Sequence, residues 1–334
     1  MRVKIKEIAA RAGYAPATVS RLLNNDPGLS ITNATRQKIL AAAQELGYWR
    51  DKPNPKLAAQ VALLVQISPK DHLEDRYFKA LQAAVEEGFA GTGIELTPFH
   101  AVNDLLAVAK DFQGFVAIGT DGLTSADLAI LHRALPHGVF LDSNPAPAFF
   151  DSVEPNLAQT IRSALGLLRH AGVGPVGFIG GEGPIVDGRR RLDVREATFR
   201  ELTRHPELIV SRGPFNVENG RYLGEAVLRR FGDRLPGGFI VASDTLAVGI
   251  LQSFTAAGVL VPRDLALVSI NDSDVAKYVS TPLTTYRIDQ RAMSTLALQL
   301  IQGALTGPVR PHIHALVDTE LVVRESFVPG AEGR

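Results

Sequence analysis

The chain has no cysteine, two methionines and one tryptophan in 334 residues. Without a thiol there is no disulfide, no cysteine nucleophile and no thiolate metal ligand. No apolar run approaches the roughly 18 residues that a membrane-spanning helix needs, and no apolar signal core opens the chain. A cytoplasmic protein without membrane contact is expected. Catalytic signatures are missing too. GFIGGEG at 177–183 lacks the GxxxxGKS/T order of a phosphate loop and the second half of a dinucleotide fingerprint, so its glycines read as a strand-to-helix turn. There is no GxSxG elbow, and the eight histidines show no HExxH spacing. His312 and His314, one residue apart, read as one side of a strand rather than as metal ligands. No enzymatic activity, catalytic residue, cofactor or metal is expected.

Net charge is also absent, 35 basic against 35 acidic residues, but the two signs are unevenly spread. Residues 1–56 hold ten Lys or Arg against four Asp or Glu, a net +6, so residues 57–334 carry −6. That distribution suits a nucleic-acid-binding module joined to a sensing domain. The local pattern agrees. Ile5, Ile8, Ala9 and Ala12 recur at helical spacing, Gly13 supplies a turn, and Pro16 stands where a helix begins without losing a needed backbone donor. Val19, Leu22 and Leu23 then face inward and leave Ala17, Thr18, Ser20 and Arg21 outward on a second helix of a size that enters the major groove. Ile39, Ala42, Ala43 and Leu46 form the buried stripe of a third helix ending at Gly47. Residues 1–48 therefore read as a three-helix helix-turn-helix domain with double-stranded DNA as partner, a solvated basic face being the plainer alternative.

Residues 49–60, WRDKPNPKLAAQ, are polar and proline-bearing and read as a linker. From 61 onward, β-rich runs at 61–67, 114–119, 138–142, 176–181, 238–243 and 265–272 alternate with amphipathic helical stretches at 77–90, 157–171, 219–231 and 245–257. Alternation of this kind predicts parallel sheets built by right-handed crossovers, and 61–330 is too long for one such sheet. The expected fold class is α/β: the helix-turn-helix domain, then a two-lobed core of parallel sheets, a layout that resembles periplasmic binding proteins. Lobe one takes about 61–157 and 287–314, lobe two about 158–286 and 315–330, with LTTYRIDQ (283–290) crossing back to supply a helix to the first lobe.

In such sheets ligands sit off the carboxyl ends of the strands. Those ends carry Asp142, Ser243 with Asp244, and Asn271 with Asp272, while Arg195 opens the helix after GFIGG. Carboxylates, an amide and a guanidinium around one cleft suit a polyol, whose vicinal hydroxyls both donate and accept. Each residue also has a plainer reading. Asp244, ahead of TLAVGIL, reads as a helix cap, Asp272 as a turn residue, Arg195 as a surface pair with Asp193 or Glu196, and Phe215 as core. The arginine run 189–191 reads as a solvated loop.

The segments IKEIAARAGYAPATVSRLLN (5–24) and TRQKILAAAQELGY (35–48) resemble the LacI/GalR family of bacterial repressors, and the similarity runs nearly the full length. The resemblance implies a homodimeric repressor of carbohydrate-utilisation genes, released from operator DNA by a small sugar effector, with galactose or a galactoside favoured. A purine-like corepressor, or sugar binding without regulation, are the other readings it leaves. It implies DNA contacts from Lys4, Ile5, Pro16, Ala17, Thr18, Ser20, Arg21, Asn24 and Thr35, with Pro16 and Ala17 at the base-choosing positions. Leu57, nine residues beyond Tyr48, falls where the family places the leucine that wedges into the minor groove. Pro53 and Pro55 precede it, so a hinge helix there is short, or the linker stays extended. For the effector the resemblance implies Tyr77, Phe78, Asp142, Arg195, Ser243, Asn271 and Ile288, with Phe215 as the sugar-stacking ring. Asn271, Ser243 and Ile288 depart from the residues many members carry, so the pocket need not share its ligand with them. The carboxyl end has no leucine heptad, and a dimer rather than a tetramer is expected.

Overall fold

Three helices open the chain: α1 (Ile5–Ala12), α2 (Pro16–Leu23) and α3 (Asn33–Glu45). The Glu7 carboxylate accepts the Lys4 backbone N–H at 2.9 Å and fastens the first turn of α1. Gly13 ends that helix at φ 78, a left-handed conformation that costs glycine little, and its N–H returns to the Ala9 carbonyl. Pro16 is the first residue of α2, as the sequence predicts. Thr32 Oγ1 accepts the Thr35 N–H at 3.2 Å at the start of α3. Ile8, Val19, Ile39 and Ala43 are fully buried where the helices meet. Truncating one of the large ones to alanine costs about 2–5 kcal/mol. The stripe of α3 differs from expectation at one position: Leu46 is exposed, one residue beyond the helix, and Leu40 is buried instead.

The computed structural model describes residues 3–24, 26, 29, 31–48, 59–67, 74–183, 185–186 and 189–330. They form two units, 1–59 with 91–94 and 60–90 with 95–334. In the larger unit the chain builds β1 (Ala59–Val65), α4 (Glu74–Phe89), β2 (Ile94–Phe99), α5 (Val102–Ala107), β3 (Gly114–Ile118), α6 (Ser125–Ala134), β4 (Gly138–Leu141) and β5 (Asp151–Pro155). It then enters a second lobe through α7 (Leu157–His170), β6 (Val176–Gly180), the short pair β7 (Ile185–Val186) and β8 (Arg189–Arg190), and α8 (Val194–Leu202). β9 (Ile209–Ser211), α9 (Val217–Phe231), β10 (Gly238–Val241), α10 (Asp244–Ala256), β11 (Ala266–Asn271) and β12 (Thr284–Arg287) complete it. α11 (Gln290–Thr306) and β13 (His314–Val317) return to the first lobe, and β14 (Glu320–Val322) goes back to the second.

Two six-stranded sheets result, ordered β13-β5-β4-β3-β1-β2 and β14-β12-β11-β10-β6-β9. β1, β3, β4, β5 and β13 pair in parallel, as do β9, β6, β10, β11 and β12; β14 runs antiparallel to β12. The α/β class and the two parallel lobes are as the alternation of patterns predicts. One boundary moves: β13 carries the first sheet to Val317, so the last crossing falls after 317 rather than at about 314. Segment 189–191, expected as a loop, begins in the hairpin β7–β8, with Ile185 opposite Arg190.

Apolar side chains fill each lobe separately. Phe115, Phe140 and Phe150 pack edge-on or tilted at 5.0–5.7 Å in the first. There Gly138 is required, because a Cβ would overlap the Phe115 ring. Phe239, Ile250 and Phe254 lie at the centre of the second. Among the described residues no helix is long and apolar enough to cross a membrane.

Candidate functional site

On the helical unit, Lys4, Pro16, Ala17, Arg21 and Asn24 are exposed, while Ile5, Thr18, Ser20 and Thr35 are half-buried. Pro16 and Ala17 form the exposed first turn of α2 and offer no side-chain hydrogen bond. Arg21 Nε donates to Asp26 Oδ2 at 2.6 Å, which holds the guanidinium near the end of α2. Ser20 Oγ accepts from Asn24 Nδ2 at 3.4 Å, and the Thr35 hydroxyl lies 2.9 Å from that of Thr32. The outward side of α2 thus combines small first-turn residues with one fixed cation. Leu57, Pro53 and Pro55 lie outside the described residues.

In the larger unit the candidate residues lie at strand ends and helix starts of both lobes, and Arg195 of the second lobe acts electrostatically on Asp142 and Tyr77 of the first. Asp142 directly follows β4 at φ 75, a conformation uncommon for a residue with a Cβ. Its Oδ1 accepts the Tyr77 hydroxyl at 2.6 Å. Tyr77 stands on α4, its carbonyl held by Gln290 Nε2 at 2.9 Å and its ring edge-on to Phe78 at 5.2 Å. Burial raises the Asp142 carboxyl above the ordinary value, against the pull of the Tyr77 hydrogen bond and the Arg195 guanidinium. Burial and the Asp142 carboxylate push Tyr77 well up, so its hydroxyl keeps the proton that it donates.

From the second lobe comes Arg195, on the first turn of α8. Asp193 caps that helix and grips the guanidinium with both oxygens, accepting Nε at 2.8 Å and Nη2 at 2.7 Å. Arg195 Nη1 donates to the Ala242 carbonyl at 2.8 Å, and the guanidinium carbon lies 4.5 Å from the centre of the Phe215 ring. Burial works to raise Asp193, but Arg195 outweighs it and holds the carboxyl below its usual value. The expected surface pairing is therefore corrected: both side chains are at most 14% exposed, and Glu196 pairs with Arg200 instead. Phe215 packs against the second-lobe core, as its plainer reading has it, and its ring also floors the Arg195 guanidinium.

Asp244 departs furthest from expectation. The cap of α10 is Ser243, whose Oγ accepts the Leu246 N–H at 3.3 Å. Asp244 is wholly buried and accepts Ser269 Oγ, Thr285 Oγ1, Ser273 N and Ser273 Oγ at 2.6–3.0 Å, joining α10 to β11, β12 and the turn after β11. Its carboxyl is raised to about 6 by burial, against those hydrogen bonds. Asp272 sits in a turn, at φ 54, and also pairs with Arg324. Asn271, at φ 118, and buried Ile288 stand at and just beyond the ends of β11 and β12; among the described residues neither is hydrogen-bonded to Asp142 or Arg195. Sequence reasoning missed the roles of Asp193 and Arg324. The D-x-R spacing at a helix start signals the first; nothing local signals the second.

What assembles is a guanidinium over an aromatic ring, with its charge felt by a carboxylate of the opposite lobe. Among the described residues, three of the five guanidinium N–H groups are committed, to Asp193 and Ala242.

Residues 4–51 match the family model described as bacterial regulatory proteins, lacI family, and residues 165–327 match a periplasmic binding protein-like domain. The HTH-type transcriptional regulator LacR of Lactobacillus helveticus is 44% identical over 329 residues, covering 97% of this chain and 98% of that protein. Among solved structures, the transcriptional regulator CelR–cellobiose complex matches with a TM-score of 0.66 at 24% identity, covering 98% of this chain and 100% of that one. The lac repressor dimer bound to operator and the anti-inducer ONPF matches with a TM-score of 0.62 at 20% identity, covering 98% and 99%.

Proposed function

The chain belongs to the lacI family of bacterial regulatory proteins, and from that premise we propose that it represses carbohydrate-utilisation genes until a small, uncharged sugar releases it from operator DNA. Galactose or a galactoside is the favoured effector. The observation that carries this reading is the Arg195 guanidinium, held by Asp193 over Phe215, with three of its five N–H groups bonded among the described residues, and within electrostatic reach of Asp142. Donors, an acceptor and an apolar face in one place match a pyranose ring. The charge balance favours a free sugar over a phosphate ester: Asp142, Asp193 and Glu154 act on this space against one guanidinium. A structural relative of the same fold carries cellobiose in its complex.

On the DNA side, α2 enters the major groove. Arg21, Ser20 and Thr18 anchor it, with Lys4, Ile5, Asn24 and Thr35 supporting, while Pro16 and Ala17 meet thymine methyls or leave bases unread. The protein acts as a homodimer in the cytoplasm, because one short recognition helix buries little surface and a palindromic operator demands two-fold symmetry. Leu57 wedges into the minor groove at the operator centre.

Thermal-shift screening against a panel of sugars tests the effector reading, since a ligand selective for the folded state raises its stability by mass action. Galactose or lactose is expected to raise the melting temperature while galactose 6-phosphate does not. A rise with phosphate esters or purines alone refutes it.

A further inference from the structure

We propose that Asp272 is the positioning residue through which the cleft communicates with the strands that join the two lobes. Two consecutive non-glycine residues with left-handed backbone, Asn271 at φ 118 and Asp272 at φ 54, end β11 and begin the segment after it. Such conformations persist only where the surroundings over-determine them. Here the constraint comes from Asp272. Its carboxylate is 6% exposed and accepts Arg324 Nη2 at 2.6 Å, and its N–H donates to Thr285 Oγ1 at 3.3 Å. Arg324 is fixed in turn, with Nη1 on the Leu283 carbonyl at 2.9 Å and its backbone N–H on Thr284 Oγ1 at 2.8 Å.

The same carboxylate reaches the crossings between lobes. Arg287, the register partner of Asn271, comes within 4.0 Å of Asp272 and also pairs with Glu320. Arg287 is the last residue of β12 before the chain passes to the first lobe, and Glu320 is the first of β14 after it returns. That returning segment is bonded to the remaining crossing: Asn156 Nδ2 donates to Asp318 Oδ1, and the Thr160 and Thr319 hydroxyls meet, each at 2.8 Å. Asp272 therefore sits one peptide from a candidate cleft residue while its side chain pairs with Arg324 and reaches Arg287 beside the crossings between lobes. A sugar hydroxyl that draws Asn271 out of its strained backbone also shifts Asp272 against Arg324 and Arg287. That gives the differential contact between two states which coupling requires.

The inference rests on the sugar-responsive reading above. The test measures operator affinity by fluorescence anisotropy with and without galactose, and galactose affinity by calorimetry, for the full-length protein and for Asp272→Asn. Couplings between sites are usually roughly 5- to 150-fold. Asp272→Asn is expected to keep galactose affinity within about threefold while the ratio of operator affinities falls to about twofold or less. Arg324→Lys, which keeps the charge but loses the planar fork, reproduces that result and serves if Asp272→Asn does not fold. A wild-type ratio in the variants overturns the proposal. So does a loss of galactose affinity that accounts for the lost response, since Asp272 is then simply part of the pocket. If the wild-type protein binds no galactose or shows no response to it, the sugar reading fails first and this inference falls with it.

Discussion

Two Arg–Asp pairs, one in each unit, show how the same chemistry serves different tasks. Arg21 and Asp26 meet at 2.6 Å with side chains 49% and 37% exposed; Arg195 and Asp193 meet at 2.7 Å with 14% and 10%. Water and salt screen the first pair, so breaking it costs little. The second is a two-pronged grip in a site shielded from water, and it fixes the guanidinium in one orientation. The helical unit thus holds Arg21 by a water-exposed pair, whereas the core holds Arg195 by a shielded one.

The largest expected effect comes from dismantling the buried pair. Arg195→Ala leaves the Asp193 carboxylate buried without its partner, a change that costs about 3–5 kcal/mol in buried pairs. Arg195→Lys keeps a charge beside Asp193 and loses the fork, so it retains most of that stability and still loses sugar binding. Melting curves with and without galactose separate the two; a lysine variant that binds galactose like wild type removes the bidentate geometry from the account.

Asp244 sharpens the comparison through pH. Its folded-state value of about 6 lies above the ordinary carboxylate value. The unfolded chain therefore binds fewer protons between about pH 4 and 6, and this group's contribution to stability declines as pH rises through that window, by at most on the order of 2–3 kcal/mol. Asp193, held low by Arg195, has the opposite sign: its contribution is present above the ordinary value and lost as pH falls through the folded one. The stability advantage of wild type over Asp244→Asn should shrink from pH 4 to pH 6 in denaturant titrations. A constant difference contradicts the buried, raised carboxyl.

Arg21→Ala is expected to weaken specific operator binding roughly 5- to 150-fold if the side chain reaches a base edge, with sugar affinity unchanged. Equal gel-shift affinities would remove it from the interface. The smallest effect is at Leu46, exposed beyond α3: Leu46→Gln should change stability by less than about 0.5 kcal/mol, whereas Leu40→Ala should be clearly destabilising in the same melts.

The helical unit was legible because its signals are local: the Ile5–Ile8–Ala12 spacing, Gly13 and Pro16 each act within a turn or two. The interior strands β1, β3, β4, β6, β10 and β11 were legible as apolar runs. β5 was not, because DSVEP is polar; Asp151 is accommodated there by a two-pronged bond from Arg310, 159 residues away in sequence. β2, with its proline, and the short β9, β13 and β14 lie at sheet edges, where one unpaired side relaxes the pattern. At the site, the strand-end rule pointed to Asp142, which accepts the Tyr77 hydroxyl and feels the Arg195 charge, whereas Ser243 caps α10. The helix-cap rule misassigned Asp244, since one position decides between a cap and a buried hub, and the donors from Ser269, Ser273 and Thr285 are remote in the chain.

The proposed coupling is that a sugar seated at Arg195 and Asp142 loosens the hold of the helical unit on DNA. Its most direct test is the operator dissociation constant of the wild-type protein by fluorescence anisotropy at fixed salt, with and without saturating galactose, alongside calorimetry of galactose binding. The account predicts that galactose binds and weakens operator affinity at least about fivefold. Galactose that binds with operator affinity unchanged would contradict it.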